Sequence, residues 1–494
     1  MIRTRYLTAG TLALLTGSAC SQTDPAGSFK DPGPPTVHAL AKIDPPAPKT
    51  YPGLRFAKPP KKLHAEAVTE DWPGFLGPRR NCHSGETHLL KNWPVSGPAV
   101  VWEMERGEGY ACPAVVGDRL VYTHRRRDEA YIDCLQASTG KRFWRFRFPC
   151  SYVGEYIRNS GPRSSPEISG NRVFVHAVNG RLFCLELTTG RVIWQRDMQK
   201  EFRTPDDFFG VVSTPLVFGD LLIQNIGAPD GPCVAAFDKA TGKLVWGAGD
   251  KWGPSCASPI HGMVHGRQRV FVLAGGESRP PTGGLMVLDP KSGAADFEYP
   301  FRSRTYTSVT ASTPTVGDNW VFLSSSYGVG SHAVTLEKDG GHRQRWRNRK
   351  ISLQFSNAVL QGGHLYAIDG VPDRGGAIVC LDPATGKSVH RTDLVWDETL
   401  EIEGSKQTVA MGVGEGSLTY ADGAFLCLGD NGHLLCLDAT PKHTKVLART
   451  WLFRARECWT PLVISRGLLY VCQNNRERWG GSTARLICYD LRGD

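Results

Sequence analysis

The chain has 494 residues with 55 glycines, 33 prolines and 21% charged residues, which allows a large core and excludes a mainly disordered protein. Its formal charge of +10 is mild for this length. It permits contact with an anionic surface or polymer without requiring one, and no nucleic-acid partner is expected. The 14 cysteines include no C-x-x-C pair, which removes the usual spacing of a zinc or haem site.

Arg3 and Arg5, the apolar run Leu7–Gly17 and the small residues Gly17, Ser18 and Ala19 before Cys20 read as an export signal over residues 1–20. The pattern resembles a bacterial lipoprotein signal, which implies a lipid on Cys20 and a periplasmic or outer-membrane-associated chain, otherwise a secreted one. No other stretch offers the ~18 apolar residues of a membrane span, so any membrane contact is expected through the lipid alone. Residues 21–70 are expected to form a disordered, proline-rich tether, since Ser21–Lys62 holds ten of the 33 prolines and no strand alternation. The globular part is expected over 71–494. It opens on DWPGFLGPRRN (Asp71–Asn81), followed by PAVVWEMER (Pro98–Arg106), a lone strand with no partner nearby.

From there one unit repeats. FCLELTTGRVIWQRDM (Phe183–Met198) reads as a strand, a Thr-Gly turn and a second strand. Related hairpins follow at Cys134–Trp144, Ala236–Trp246, Val287–Phe297 and Cys380–His390, with weaker copies at Thr335–Gly341, Cys436–Lys442 and Cys488–Asp494. The column residues Cys134, Cys184, Ala236, Val287, Thr335, Cys380, Cys436 and Cys488 lie 45 to 56 residues apart, the period of a propeller blade or solenoid. A second column of short strand, glycine turn and strand precedes each hairpin. Examples are SSPEISGNRVFVHA (Ser164–Ala177) and STPLVFGDLLIQN (Ser213–Asn225). The fold predicted is all-β, an eight-bladed propeller of four-stranded antiparallel blades. The last blade lacks an outer strand, and residues 98–106 are expected to supply it and close the ring, with Trp102 in the tryptophan column.

Thr-Gly-Lys or Thr-Gly-Arg turns with tryptophan four residues past the glycine occur at Gly140/Trp144, Gly190/Trp194 (with Arg191) and Gly242/Trp246, and Gly386 keeps the turn but has His390 in place of the indole. This motif resembles the signature of propellers built from pyrroloquinoline-quinone-like (PQQ-like) repeats, and Asp71–Asn81 resembles the segment that leads into many of them. The periodic residues Trp102, Gly140, Trp144, Gly190, Trp194, Gly242, Trp246 and Gly386 are expected to be structural. The column cysteines read as small core residues, while Cys112, Cys150, Cys233, Cys256 and Cys458 leave one or two disulfides open. HRQRWRNRK (His342–Lys350) places Arg343, Arg345, Arg347 and Arg349 on one face if the strand is regular. That face is either a charged edge that discourages pairing or a patch for an acidic partner or polysaccharide, an anionic polymer held by the four arginines.

A binding site is expected at the funnel mouth, among loops entering the inner strands. They supply Glu108, Tyr110, Arg158, Asn159, Arg163, Trp252, Tyr306, Glu415, Arg456, Glu457 and Trp459, a set that suits a carbohydrate, a peptide or a planar quinone. No catalytic residue and no metal ligand is assigned. The resemblance implies two functions. One is a non-catalytic, membrane-tethered scaffold of the cell envelope, similar in layout to the BamB lipoproteins of outer-membrane assembly, with envelope proteins or peptide segments as partners and no cofactor. The alternative is a quinoprotein alcohol or sugar dehydrogenase using PQQ and calcium. The chain has no adjacent cysteines, a pair often found beside the quinone in those enzymes.

Overall fold

The repeated hairpin folds alike in each blade. Its third and outer strands pair with one bulge at a fixed place, between Cys134 and Leu135 in the first blade and between Cys184 and Leu185 in the second. The extra residue is accommodated because the turn glycine holds φ near +70° at Gly140, Gly190, Gly242 and Gly386, a region open to glycine at little cost. Acidic residues brace these turns. Asp238 Oδ1 accepts bonds from the Ala240 and Thr241 amides and the Thr241 hydroxyl.

A computed structural model describes residues 29, 31–154, 159–205, 209–371, 375–402, 404–455, 457–477 and 483–493. It contains eight four-stranded antiparallel blades. Their inner strands are Ala114–Val116, Glu167–Ser169, Leu216–Phe218, Ile260–Val264, Thr315–Val316, Val359–Gln361, Ser417–Ala421 and Val463–Ser465. Among the described residues the one α-helix is Met198–Phe202. The signal segment and Cys20 lie outside the described residues.

The ring closes as the sequence predicts. Ala99–Glu105 pairs with Arg485–Asp490, setting Trp102 opposite Cys488 as Trp144 stands opposite Cys134. Each column tryptophan then reaches the next blade. Trp102, Trp144, Trp194 and Trp246 donate their indole N–H to Ala137, Leu187, Lys239 and Pro290 carbonyls, beneath Gly140, Gly190, Gly242 and Gly293. A Cβ at Gly190 would come within 2.4 Å of Trp144, so the turn needs glycine for space as well as for φ.

Trp346 belongs to this series, donating to Pro383 at 2.8 Å beneath Gly386. The column residue of the fifth blade is therefore Ala333, opposite Trp346, and not Thr335. A hairpin longer than its siblings hides the match. The same pairing overturns the single arginine face. The bulge between Ala333 and Val334 falls at Arg345, so Arg343 pairs with Thr335 and Arg347 with His332, on opposite faces. Arg343 meets Glu337 at 2.9 Å, Arg345 lies over Trp320, and Arg347 bonds to Val329.

Near the axis, short polar residues link neighbouring inner strands. Cys112 N–H donates to Ser165 Oγ, Ser165 to Thr214, Thr214 to Ser258, Ser258 to Thr313 and Thr313 to Asn357. This hoop gives a physical role to the Ser/Thr-Pro positions of the second column, since a hydroxyl there satisfies an amide that no strand partner reaches.

The segment from Asp71 crosses the far end of the axis. Trp72 bridges Val115, Pro73 accepts from Ile168, and Tyr420 donates to Cys82. Arg80 donates to Pro259 and Pro215 and pairs with Glu167 at 2.7 Å, off the line of a hydrogen bond. Phe75, packed against clusters on both sides of the ring, floors the channel.

The stretch before it departs from the expected free tether. Thr36–Val37 pairs with the outer strand of the second blade, Lys49 bridges Arg142 of the first, and Leu54–Phe56 pairs with the closing strand. Phe29 lies against Gly247 of the third blade. Proline suits such an edge strand because its missing N–H faces solvent, so the composition of a tether is also that of a strap.

The described cysteines form no disulfide, including Cys112, Cys150, Cys233, Cys256 and Cys458. Most are buried, and burial pushes the Cys134, Cys184 and Cys436 thiols up to about 12.

Candidate functional site

All eight blades contribute to one cavity of about 460 Å³ at the end of the axis where the inner strands begin. Its walls come from Tyr110, Arg163, Thr214, Ser258, Val309, Phe355, Glu415 and Trp459, one per blade in ring order, and Phe75 closes its base. Of the residues expected from the sequence, Tyr110, Arg163, Glu415 and Trp459 line it.

The rings of Phe355, Trp459 and Tyr110 stack in series, at 4.2 Å and 20° and then 5.4 Å and 22°. Tyr110 donates its hydroxyl to Glu457, which also accepts from Asn475 at 2.7 Å. Glu457 therefore stands behind the wall and orients it. Burial, ahead of the Glu457 charge, pushes the Tyr110 phenol up, so its hydroxyl stays a donor. Arg163 spans from the Asn159 and Gly161 carbonyls at 3.0 and 2.9 Å, and its guanidinium sits 5.7 Å from the Tyr110 ring centroid. Asn159 supports that loop and reaches Asn475 at 3.2 Å.

Glu415 is 7% exposed, and its Oε2 has no hydrogen-bond partner. Desolvation first, and then the neighbouring Asp430 charge, raise its carboxyl to about 7. The folded chain thus binds this proton more tightly than the unfolded one. The stabilisation is complete below the ordinary carboxylate range and is lost as pH rises through about 7. A denaturation series from pH 5 to 8 is expected to show falling stability that Glu415→Gln flattens.

The other expected residues lie elsewhere. Glu108 braces a loop, pairing with Arg125 and accepting from Ser160. Trp252 packs against the core between the third and fourth blades. Tyr306 bonds to Glu277 at 3.0 Å beneath Arg279. Arg158 and Arg456 lie outside the described residues. Sequence reasoning missed Phe75, Phe209, Tyr327 and Phe355. Phe75 comes from the floor segment, and Tyr327 from the turn between the second and third strands, which shares the funnel end with the entering loops. Phe209 was legible as an aromatic in DDFFGVVSTP (Asp206–Pro215).

Among the described residues, one cluster of three metal-capable side chains occurs, His64, Glu66 and His88, away from the cavity. Its two imidazoles stack at 3.9 Å and 9°, so their lone pairs run side by side instead of converging on an ion. No helix among the described residues is long and apolar enough to cross a membrane.

Comparison with known proteins agrees with this architecture. A quinohemoprotein alcohol dehydrogenase, ADH IIB, of Pseudomonas putida is 27% identical over 156 residues, 30% of this chain and 21% of that protein. The quinohemoprotein alcohol dehydrogenase of Comamonas testosteroni is 23% identical over 192 residues, 36% and 26% of the two. The chain thus matches only about a quarter of the length of these curated relatives. The crystal structure of the Comamonas enzyme superposes with TM-score 0.58 at 13% identity, covering 87% of this chain and 82% of that one. BamB from Moraxella catarrhalis superposes with TM-score 0.51 at 14% identity, covering 81% and 99%. Those likenesses show the fold. The profile of the family described as outer membrane protein assembly factor BamB matches residues 96–226 and 128–392, together more than half of the chain. With eight blades, five of whose junctions are locked by the Trp-Gly motif, the chain belongs to that family of PQQ-like-repeat propellers.

Proposed function

We propose that this protein is a non-catalytic binding propeller of the cell envelope, held at a membrane by a lipid on Cys20, and that it acts as a scaffold for envelope proteins or peptide segments. The observation that carries the reading is the charge inventory of the funnel. Pyrroloquinoline quinone bears three carboxylates, and a calcium ion takes 6–8 oxygen ligands, usually with several carboxylates among them. Among the described lining residues there is one cation, Arg163, already donating to two loop carbonyls, and one carboxyl, Glu415. This donor set does not fit the quinone with its calcium, so no redox step is assigned.

The scaffold reading draws further support from the family and from the rim. The strap covers the outer edges of the second, first and eighth blades, whereas His342–Asn348 and Ser388–Asp393 end their sheets with no strand paired outside them among the described residues. Adding PQQ and calcium chloride to the full chain is expected to leave its melting temperature and its visible spectrum unchanged. A saturable rise of several degrees, the mark of a ligand bound to the folded state alone, together with quinone absorbance, would restore the dehydrogenase.

A further inference from the structure

The sequence leaves three ligand classes open for the funnel, and the chemistry of its walls separates them. A planar tricarboxylate meets too little positive charge, as the donor set shows. An extended peptide needs backbone partners, but the inner-strand amides from Cys112 to Thr313 are already engaged in the hoop. What remains is a cavity of about 460 Å³, within the 300–1,000 Å³ typical of small-molecule sites. Its rings include Phe75, Tyr110, Tyr327, Phe355 and Trp459.

Two polar atoms in this wall are buried with no hydrogen-bond partner, Glu415 Oε2 and Trp459 Nε1. Such atoms are costly unless a ligand or water satisfies them. The indole N–H can only donate, whereas a carboxyl can donate or accept according to its proton. A hydroxyl does both and serves either. The negative faces of the rings favour the positive edges of C–H bonds. Arg163 is already engaged by the Asn159 and Gly161 carbonyls, and no ion pair joins it to Glu415 among the described residues, so the wall makes little demand for a charged ligand.

We propose that the funnel binds a neutral sugar ring, one or two pyranose units, with its C–H face on the aromatic wall and its hydroxyls on Glu415 Oε2 and Trp459 Nε1. This rests on the funnel being a binding site and narrows its occupant to a carbohydrate. Free disaccharide and the end of a glycan chain share this chemistry, and the probes separate them by length.

The test uses the full chain with maltose, cellobiose and N,N′-diacetylchitobiose, followed by tryptophan fluorescence and saturation-transfer NMR, and then longer oligomers of whichever sugar binds. Saturable binding of at least one disaccharide is expected, weakened about tenfold or more by Trp459→Ala and by Glu415→Ala. Tyr306→Ala, outside the cavity, is expected to bind as the parent does. Glu415→Gln preserves shape if the alanine variant fails to fold, and is expected to weaken binding while melting like the parent at pH 5, where the Glu415 carboxyl holds its proton. Equal affinity for the oligomer points to a free-sugar site, and tighter binding to a glycan end. If no disaccharide saturates the folded chain at millimolar concentration, or if Trp459→Ala and Glu415→Gln bind like the parent, the inference is overturned. Should PQQ with calcium bind instead, the scaffold reading falls with it; if neither binds, only the sugar is lost.

Discussion

Replacing Trp102 by alanine is expected to destabilise the propeller by about 3–5 kcal/mol, the usual cost of emptying a buried aromatic site. Trp102 is fully buried in the cluster that joins the eighth blade to the first. Its indole N–H donates to Ala137 at 2.8 Å, and its ring lies against Gly140, where a Cβ would be 2.8 Å away. Trp102→Phe is expected to cost far less, because the Tyr470 hydroxyl donates to the same Ala137 carbonyl at 3.2 Å and only part of the packing goes. The position of the residue adds a second consequence. Other column tryptophans sit on strands joined to their blade by a tight turn, but Trp102 sits on a strand held to Arg485–Asp490 by pairing alone. Hydrogen exchange in Trp102→Ala should therefore accelerate first in Ala99–Glu105 and Arg485–Asp490, whereas Trp144→Ala should leave these strands protected. Equal acceleration around the whole ring in Trp102→Ala would mean that the closing strand is not the weak link.

A loss of similar size is expected under the funnel. Arg80 and Glu167 form an ion pair with side chains 6% and 9% exposed. Removing one partner strands the other in a dry site, typically at about 3–5 kcal/mol. Urea denaturation of Glu167→Ala and Arg80→Ala measures this directly. The two should differ with pH. Desolvation already raises the Glu167 carboxyl above its ordinary value. Without Arg80 the carboxyl can take a proton in the folded chain, so its contribution is present at acid pH and lost as pH rises. The Arg80→Ala deficit should therefore shrink at acid pH, while the Glu167→Ala deficit should persist. Arg80→Met with Glu167→Leu, which removes both charges and keeps volume, is expected to recover most of the loss. If the single variants cost no more than a surface substitution, Arg80 does not anchor the floor segment to the second, third and fourth blades.

Strands, turns, blade count and closure were all legible in the linear chain. Alternation, Thr-Gly turns and β-branched runs are local properties, and a unit repeated eight times states each of them several times over. Even the lone PAVVWEMER strand could be placed, because a ring of equivalent blades leaves only one vacancy. The same logic failed where a single blade deviates. Three extra hairpin residues concealed Trp346, and one bulge at Arg345 divided a row of arginines that simple alternation puts together.

The funnel was legible as a location and only in part as a chemistry. Its loops could be named from the repeat, but whether a loop side chain points to the axis, to a neighbour or to solvent depends on contacts between residues hundreds of positions apart. Tyr110 faces the cavity because Glu457 and Asn475, from the opposite end of the chain, hold its hydroxyl. Tyr306, equally plausible in the sequence, turns to Glu277. The strap shows the same division. Its prolines announce an extended backbone, yet extension alone does not say whether a segment hangs free or runs along an edge. That choice belongs to the outer strands, whose unpaired groups exist only once the blades have formed.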